Sequence, residues 1–237
     1  VEQEMRKHAK IAYPKEACGL VVEVAGEDTY FPCGNLADRQ NEEFILDPVD
    51  YANAADAGTI KAIFHSHPDW HEKPSEGDLV ACEETKLPWI ILSWPGNKFY
   101  RFAPKGYSVE LLGRPFFYGI LDCCTLWRDV YHRELGVDFE CIDKSGRYPE
   151  YNWWEEGRDY YMENFGSQGF VKLIDEKPKK YDVFLIKLAS KVANHAAVYM
   201  GGGIIMHHVL GKLSTKEMYG GYWQKHTVHH LRHKSQC

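Results

Sequence analysis

Two imidazoles one residue apart, His65 and His67, followed after Pro68 by Ser75 and Asp78, constrain this chain more than any other stretch. Side chains alternate along a strand, so His65 and His67 share one face, and the Pro-containing loop that follows can bring Asp78 back towards them. Two neutral imidazoles and one carboxylate suit a zinc ion that keeps a fourth position for water, as hydrolytic sites do. The fold must therefore supply a strand ending in a loop, with a helix starting close by.

The remaining composition narrows the class. The chain has 237 residues, 44% hydrophobic and 26% charged, which suits a soluble globular protein of two domains of about 100 residues each. A formal charge of -6 offers no basic stripe to neutralise a phosphate backbone, so nucleic acid is not an expected partner. No apolar run reaches the roughly 18 residues of a membrane span. Val1 to Ala9 is charged and lacks the apolar core of a signal peptide, which points to the cytoplasm of the producing cell. Seven scattered cysteines, with no CxxC pair, fit a reduced compartment and argue against thiolate zinc ligation.

Local signals predict a helix over Glu2 to Ala12, ending before Pro14, and a strand Cys18 to Val24 that turns at Ala25-Gly26-Glu27-Asp28 into a partner. Asp47-Pro48 starts a helix to Ala57, the strand Ile60 to His65 follows, and Ser75-Glu76-Gly77-Asp78 caps a helix to about Lys86. Trp89 to Trp94 and Lys98 to Phe102 read as a hairpin. Ala103-Pro104-Lys105-Gly106 punctuates the chain, with a linker over 106–114. Beyond it come a helix from Cys123 to Leu135, an aromatic helical stretch Trp153 to Phe165, and strands Val183 to Leu188, His195 to Met200, Ile204 to Val209 and Thr227 to Leu231. The first half reads as α/β and the second as α+β.

A zinc-bound water reaches a pKa near 7 but still needs a group to take its proton. Glu16 is the leading candidate, because it enters the first core strand where a carboxylate has no packing purpose. Ser75 can both cap its helix and offer a hydroxyl to an oxyanion. The pattern of Glu16, then His65-x-His67-Pro68, six residues, and Ser75-x-x-Asp78 resembles the JAMM (MPN+) metalloprotease family over residues 1–105. The resemblance implies an α/β domain with a mixed sheet. It also implies that His65, His67 and Asp78 bind zinc, that Glu16 is the general base and that Ser75 stabilises the oxyanion. Ser66 is expected to be structural and His71 a solvated loop residue.

In the second half, Cys123 opens an amphipathic helix directly after Asp122, where the positive end of the helix dipole favours a thiolate. His195 begins a strand, and His207 stands twelve positions later on a strand joined to it through Gly201-Gly202-Gly203, close enough to orient the His195 imidazole. Asp122-Cys123 before a helix, with His195 and His207 on neighbouring strands, resembles the NlpC/P60 family of cell-wall peptidases over residues 115–237, a papain-like α+β fold. The resemblance implies Cys123 as nucleophile, His195 as base and His207 as the orienting residue, with His208 a weaker substitute. Cys124-Thr125 replaces the family's Ser-Gly, so Cys124 competes for the role of reactive thiol. Tyr118 reads as core or as a substrate contact. Tyr151, Trp153, Trp154, Tyr160 and Tyr161 read as core or a partner surface, and His226, His229, His230 and His233 resemble a metal tract only superficially, because they alternate irregularly.

The order of the two halves and the total length resemble the tail tip assembly protein K family of lambda-like bacteriophages. That resemblance implies a virion component at the distal end of a tail, other tail tip proteins as partners, and peptidoglycan stem peptides as the substrate of the second domain during genome entry. The first domain would process a tail protein. The alternative expectation is a structural assembly module whose peptidase folds do not turn over.

Overall fold

Glu2 and Glu4 occupy the first turn of helix α1 (Glu2–Ala12) and Lys10 its last, complementing the helix dipole, and Tyr13 leaves the helix in an extended conformation ahead of Pro14. In the computed structural model, which describes residues 1–139 and 153–236, α1 opens the first of two units, Val1–Ser108 and Val109–Cys237. Strands β1 (Cys18–Val24) and β2 (Glu27–Cys33) form a hairpin. Ala25 and Gly26 both have positive φ, which matches the right-handed twist of the strands. Helix α2 (Pro48–Ala57) is capped by Asp47, which accepts from Val49 N at 2.8 Å. There follow β3 (Thr59–Pro68), α3 (Glu76–Thr85), β4 (Trp89–Trp94) and β5 (Lys98–Phe102).

The sheet runs β2-β1-β3-β4-β5, with β3 and β4 parallel and every other pair antiparallel. Met5 and Ala9 of α1 lie against Val21, Tyr30, Ala62, Phe64 and Leu92 of the sheet. Burying each large apolar side chain of this kind stabilises by about 1.5–3 kcal/mol. The strand expected over Ile60 to His65 extends through both histidines to Pro68. Gly19 is required for the close approach of β2: a Cβ there would lie 2.4 Å from the Phe31 carbonyl oxygen.

In the second unit, part of the segment read as linker is tied down. Gly113 N donates to Ser214 O at 2.9 Å, and the buried Arg114 side chain reaches Asp129 at 2.6 Å. Helix α4 (Cys123–Leu135) ends on Gly136 in the left-handed conformation. The following elements are α5 (Tyr160–Phe165), β6 (Phe170–Leu173), β7 (Val183–Ile186), β8 (His195–Gly201), β9 (Ile204–His207), β10 (Thr215–Met218), α6 (Gly221–His226) and β11 (Thr227–His233). The six strands form one antiparallel sheet in the order β10-β9-β8-β7-β11-β6.

One core cluster is aromatic, with Trp127, Tyr131, Tyr160, Tyr161, Phe165 and Phe170 gathered with Val183, Leu185 and Val198. Trp127 meets Phe170 edge-on at 5.5 Å, the favoured geometry for such pairs. A second cluster joins Phe184, Ile186, Ala197 and Ile205 with Tyr199, Tyr219 and Trp223. The helix expected over Trp153 to Phe165 is confined to Tyr160–Phe165, because Gly157 takes a positive φ and breaks the run. Tyr151 lies outside the described residues. β6, β10 and α6 have no counterpart in the expectations drawn from sequence. No described helix is long and apolar enough to cross a membrane.

Candidate functional site

In the first unit, the end of β3 and the start of α3 bring three donors together. His65, His67 and Asp78 each offer a ligand atom, all within 4.8 Å of one another. The two Nε2 atoms are 3.0 Å apart, His65 Nε2 is 3.2 Å from Asp78 Oδ1 and His67 Nε2 is 3.5 Å from Asp78 Oδ2. His67 Nδ1–H donates to the His71 carbonyl at 2.8 Å, which leaves the Nε2 lone pair facing the cluster. His71 thus contributes through its backbone, a role its sequence did not signal. Phe44 stacks on His65 at 4.6 Å, also unsignalled.

Asp78 is held by a capping box. Its Oδ2 accepts from Ser75 N and from Ser75 Oγ, each at 2.7 Å, while Ser75 Oγ accepts from Asp78 N at 3.1 Å. The Ser75 hydroxyl proton is therefore committed to Asp78 rather than pointing freely at a substrate. Burial opposes ionisation of Asp78, but His65 and His67 outweigh it and hold the carboxyl well below the usual range. Burial pushes the His65 imidazole down, against the pull of Asp78. An ionised carboxylate and neutral imidazoles are the protonation states a zinc ion requires, and three protein donors leave a fourth position open. The residues fit the ion.

Glu16 lies two residues before β1. Cys18 pairs with His65, and continuing that register puts Glu16 opposite His67. Ser66, between the two histidines, is buried and its Oγ accepts from Ala17 N at 2.9 Å, which fixes the residue beside Glu16. Glu16 is only 6% exposed. Burial, then the negative charges of Asp78 and Glu43, push its carboxyl up to about 9.

In the second unit, Asp122 caps α4: Oδ1 accepts from Cys124 N at 2.8 Å and Thr125 N at 3.0 Å, and Thr125 Oγ1 accepts from Asp122 N. Thr125 completes a capping box, so the departure from Ser-Gly still starts the helix properly. Cys124 belongs to the aromatic core. Cys123 instead lies 3.3 Å from the Tyr161 hydroxyl, on a helix that packs against β8, the strand His195 opens. The helix start does not yield a resting thiolate. A helix dipole contributes about 0.3–1 kcal/mol, whereas full burial shifts a pKa by up to about 3–5 units. Burial, then the Asp122 charge, push the Cys123 thiol up to about 12.

His195 Nε2 meets His207 Nδ1 at 3.1 Å across β8 and β9. Burial, then His207 and His208, push the His195 imidazole down to about 3. His208 is engaged elsewhere, 3.2 Å from the Lys212 carbonyl and edge-on to Phe116, and burial pushes it down to about 4. Tyr118 is half-buried beside Asp122 and Cys123. Trp153 packs on Tyr160 and Tyr161. The C-terminal histidines go to separate partners: His226 packs on Tyr222, His229 lies 3.6 Å from Asp159, His230 binds buried Asp182 at 2.6 Å and His233 binds Ser235. Among the described residues the first unit holds the one cluster suited to a metal.

Residues 1–103 match the family of prokaryotic homologs of the JAB domain, and residues 113–232 match the NlpC/P60 family. The tail tip assembly protein K of Escherichia phage N15 is 38% identical over 229 residues, covering 96% of this chain and 91% of that protein. The tail tip assembly protein K of Escherichia phage lambda is 33% identical over 190 residues, covering 80% and 90% respectively. Among solved structures, a JAB1/MPN domain protein from Archaeoglobus fulgidus is 24% identical, with a TM-score of 0.31, over 46% of this chain and 87% of its own.

Proposed function

The chain belongs to the tail tip assembly protein K family, and from that premise we propose that it is a phage tail tip assembly protein whose C-terminal unit is a cysteine peptidase cutting peptidoglycan stem peptides during genome entry. The observation that carries the peptidase reading is the hydrogen-bonded His195 and His207 pair, on two strands against which the helix opened by Cys123 packs. In this reading the Cys123 proton moves to His195, the sulfur attacks a stem-peptide carbonyl, and His195 returns the proton to the leaving amine. His207 holds His195 in place. Cys123 is the nucleophile rather than Cys124, whose side chain packs into the core.

The N-terminal unit is read as a zinc-dependent peptidase or isopeptidase acting on a tail protein. His65, His67 and Asp78 would hold the ion, which when bound polarises a carbonyl oxygen and acidifies water. Glu16 takes and returns the proton, and Ser75 keeps Asp78 aimed at the cluster. Partners are other tail tip proteins, and the setting is the infected cell and then the virion.

Purified chain on isolated sacculi tests the thiol assignment by zymography. Cys123→Ala should lower lysis at least about 10³-fold, and Cys124→Ala should keep it. Undiminished lysis by Cys123→Ala overturns the mechanism. A second reading, an assembly module without turnover, is favoured by the depth of Cys123, which is 9% exposed and whose thiol is held protonated. That reading requires sacculi to survive the wild-type chain intact.

A further inference from the structure

A neutral imidazole has one N–H and one lone pair, so a row of histidines works only if something fixes which nitrogen carries each proton. Between His195 Nε2 and His207 Nδ1, 3.1 Å apart, only one can donate. The far nitrogen of His207, Nε2, is fully enclosed and makes no hydrogen bond among the described residues. The group that reaches over it is Glu217, with Oε1 at 3.5 Å.

Three observations hold Glu217 there. β10 pairs with β9 so that Thr215 faces His207 and Glu217 faces Ile205, which makes Glu217 a diagonal neighbour within reach of a long side chain. Trp223 of α6 donates its Nε1–H to Glu217 Oε2 at 2.7 Å. The same indole packs edge-on against the His207 ring at 4.4 Å. The ionisable groups acting on this part of the row are Glu217 from β10, the two imidazoles themselves and His208, which follows β9.

We infer that Glu217 is a positioning residue that sets the proton order along the row. A carboxylate can only accept, so His207 carries its proton on Nε2 and presents Nδ1 as an acceptor. His195 must then donate from Nε2, which leaves its Nδ1 lone pair to receive the Cys123 proton. The inference rests on the reading of Cys123 as nucleophile and His195 as base.

Glu217→Gln tests it in the full chain. The shape is kept, and Trp223 still donates to the side-chain oxygen, so the amide NH2 is turned to His207 and demands the opposite tautomer. Three readouts apply: ¹⁵N spectra of His195 and His207, the rate of Cys123 alkylation by iodoacetamide followed on its peptide by mass spectrometry, and kcat and KM on a soluble muropeptide. Glu217→Gln should reverse the tautomers and slow alkylation and kcat by about tenfold or more, with KM unchanged. Adding Trp223→Phe frees the amide to present its oxygen and should restore most of the rate. A merely structural Glu217 would tolerate Gln. Unaltered tautomers and alkylation in Glu217→Gln overturn the inference. If the wild type leaves muropeptides uncut while tautomers and alkylation respond to Glu217, the peptidase reading fails and the proton ordering stands.

Discussion

The two units fix imidazole protons by different means. In the first, His67 gives its Nδ1–H to the backbone carbonyl of His71, four residues on, and the ligand set spans residues 65 to 78 of one strand, loop and helix start. In the second, His195 is held by His207, and His207 faces Glu217, so side chains on three strands must agree. The first site is assembled mainly by local chain geometry and the second by tertiary pairing. A local site survives changes in distant packing, whereas a relay across strands registers any shift in the sheet.

Metal removal is the sharpest way to break this comparison. His65→Ala with His67→Ala should take the chain from about one zinc to none after dialysis, measured by elemental mass spectrometry. Lysis of sacculi by the same variant should stay at the wild-type level, and loss of both would mean the sites are not separate. Next in size, Trp127→Ala should destabilise the second unit by about 3–5 kcal/mol in urea while zinc content is kept.

Acid should act unequally on the two units. The folded pKa of His195 is depressed to about 3, so between the ordinary histidine value and about 3 the unfolded chain binds a proton that the folded chain refuses. Stability from this group is therefore present above pH ~6.5 and falls by up to about 1.4 kcal/mol per pH unit as pH drops through that window. His208 adds in the same direction. Unfolding of the second unit followed by tryptophan fluorescence from pH 7 to 4 checks the slope, and a flat profile would contradict a neutral buried His195. The smallest effect is expected from Ser66→Ala, which strands the Ala17 N–H at a cost of about 1–3 kcal/mol in the first unit alone.

Legibility in the sequence follows the same division. α1, α2 and α3 were readable to the residue at several ends because Pro14, Asp47-Pro48 and Ser75 act over one or two positions. The ligand set was readable because its spacing is local. β6 and β10, four residues each, carry no alternation of their own and exist through pairing with β11 and β9. The same holds for Glu217, an exposed-looking acid in a polar stretch until β10 sets it beside His207. The upward push of burial on the Cys123 thiol was not legible, because a dipole effect is visible in sequence and burial is not. His207 could be set beside His195 because a Gly-rich turn joins their strands, whereas Cys123 was linked to them by resemblance to a family, since no local spacing connects residue 123 with residue 195.

The Ser75–Asp78 box has a further consequence for loading. The carboxylate that would grip the cation is already pinned by the turn that nucleates α3, so the pocket exists as soon as that helix does. A cation entering that pocket would meet donors already in place, with no loop to reorganise first.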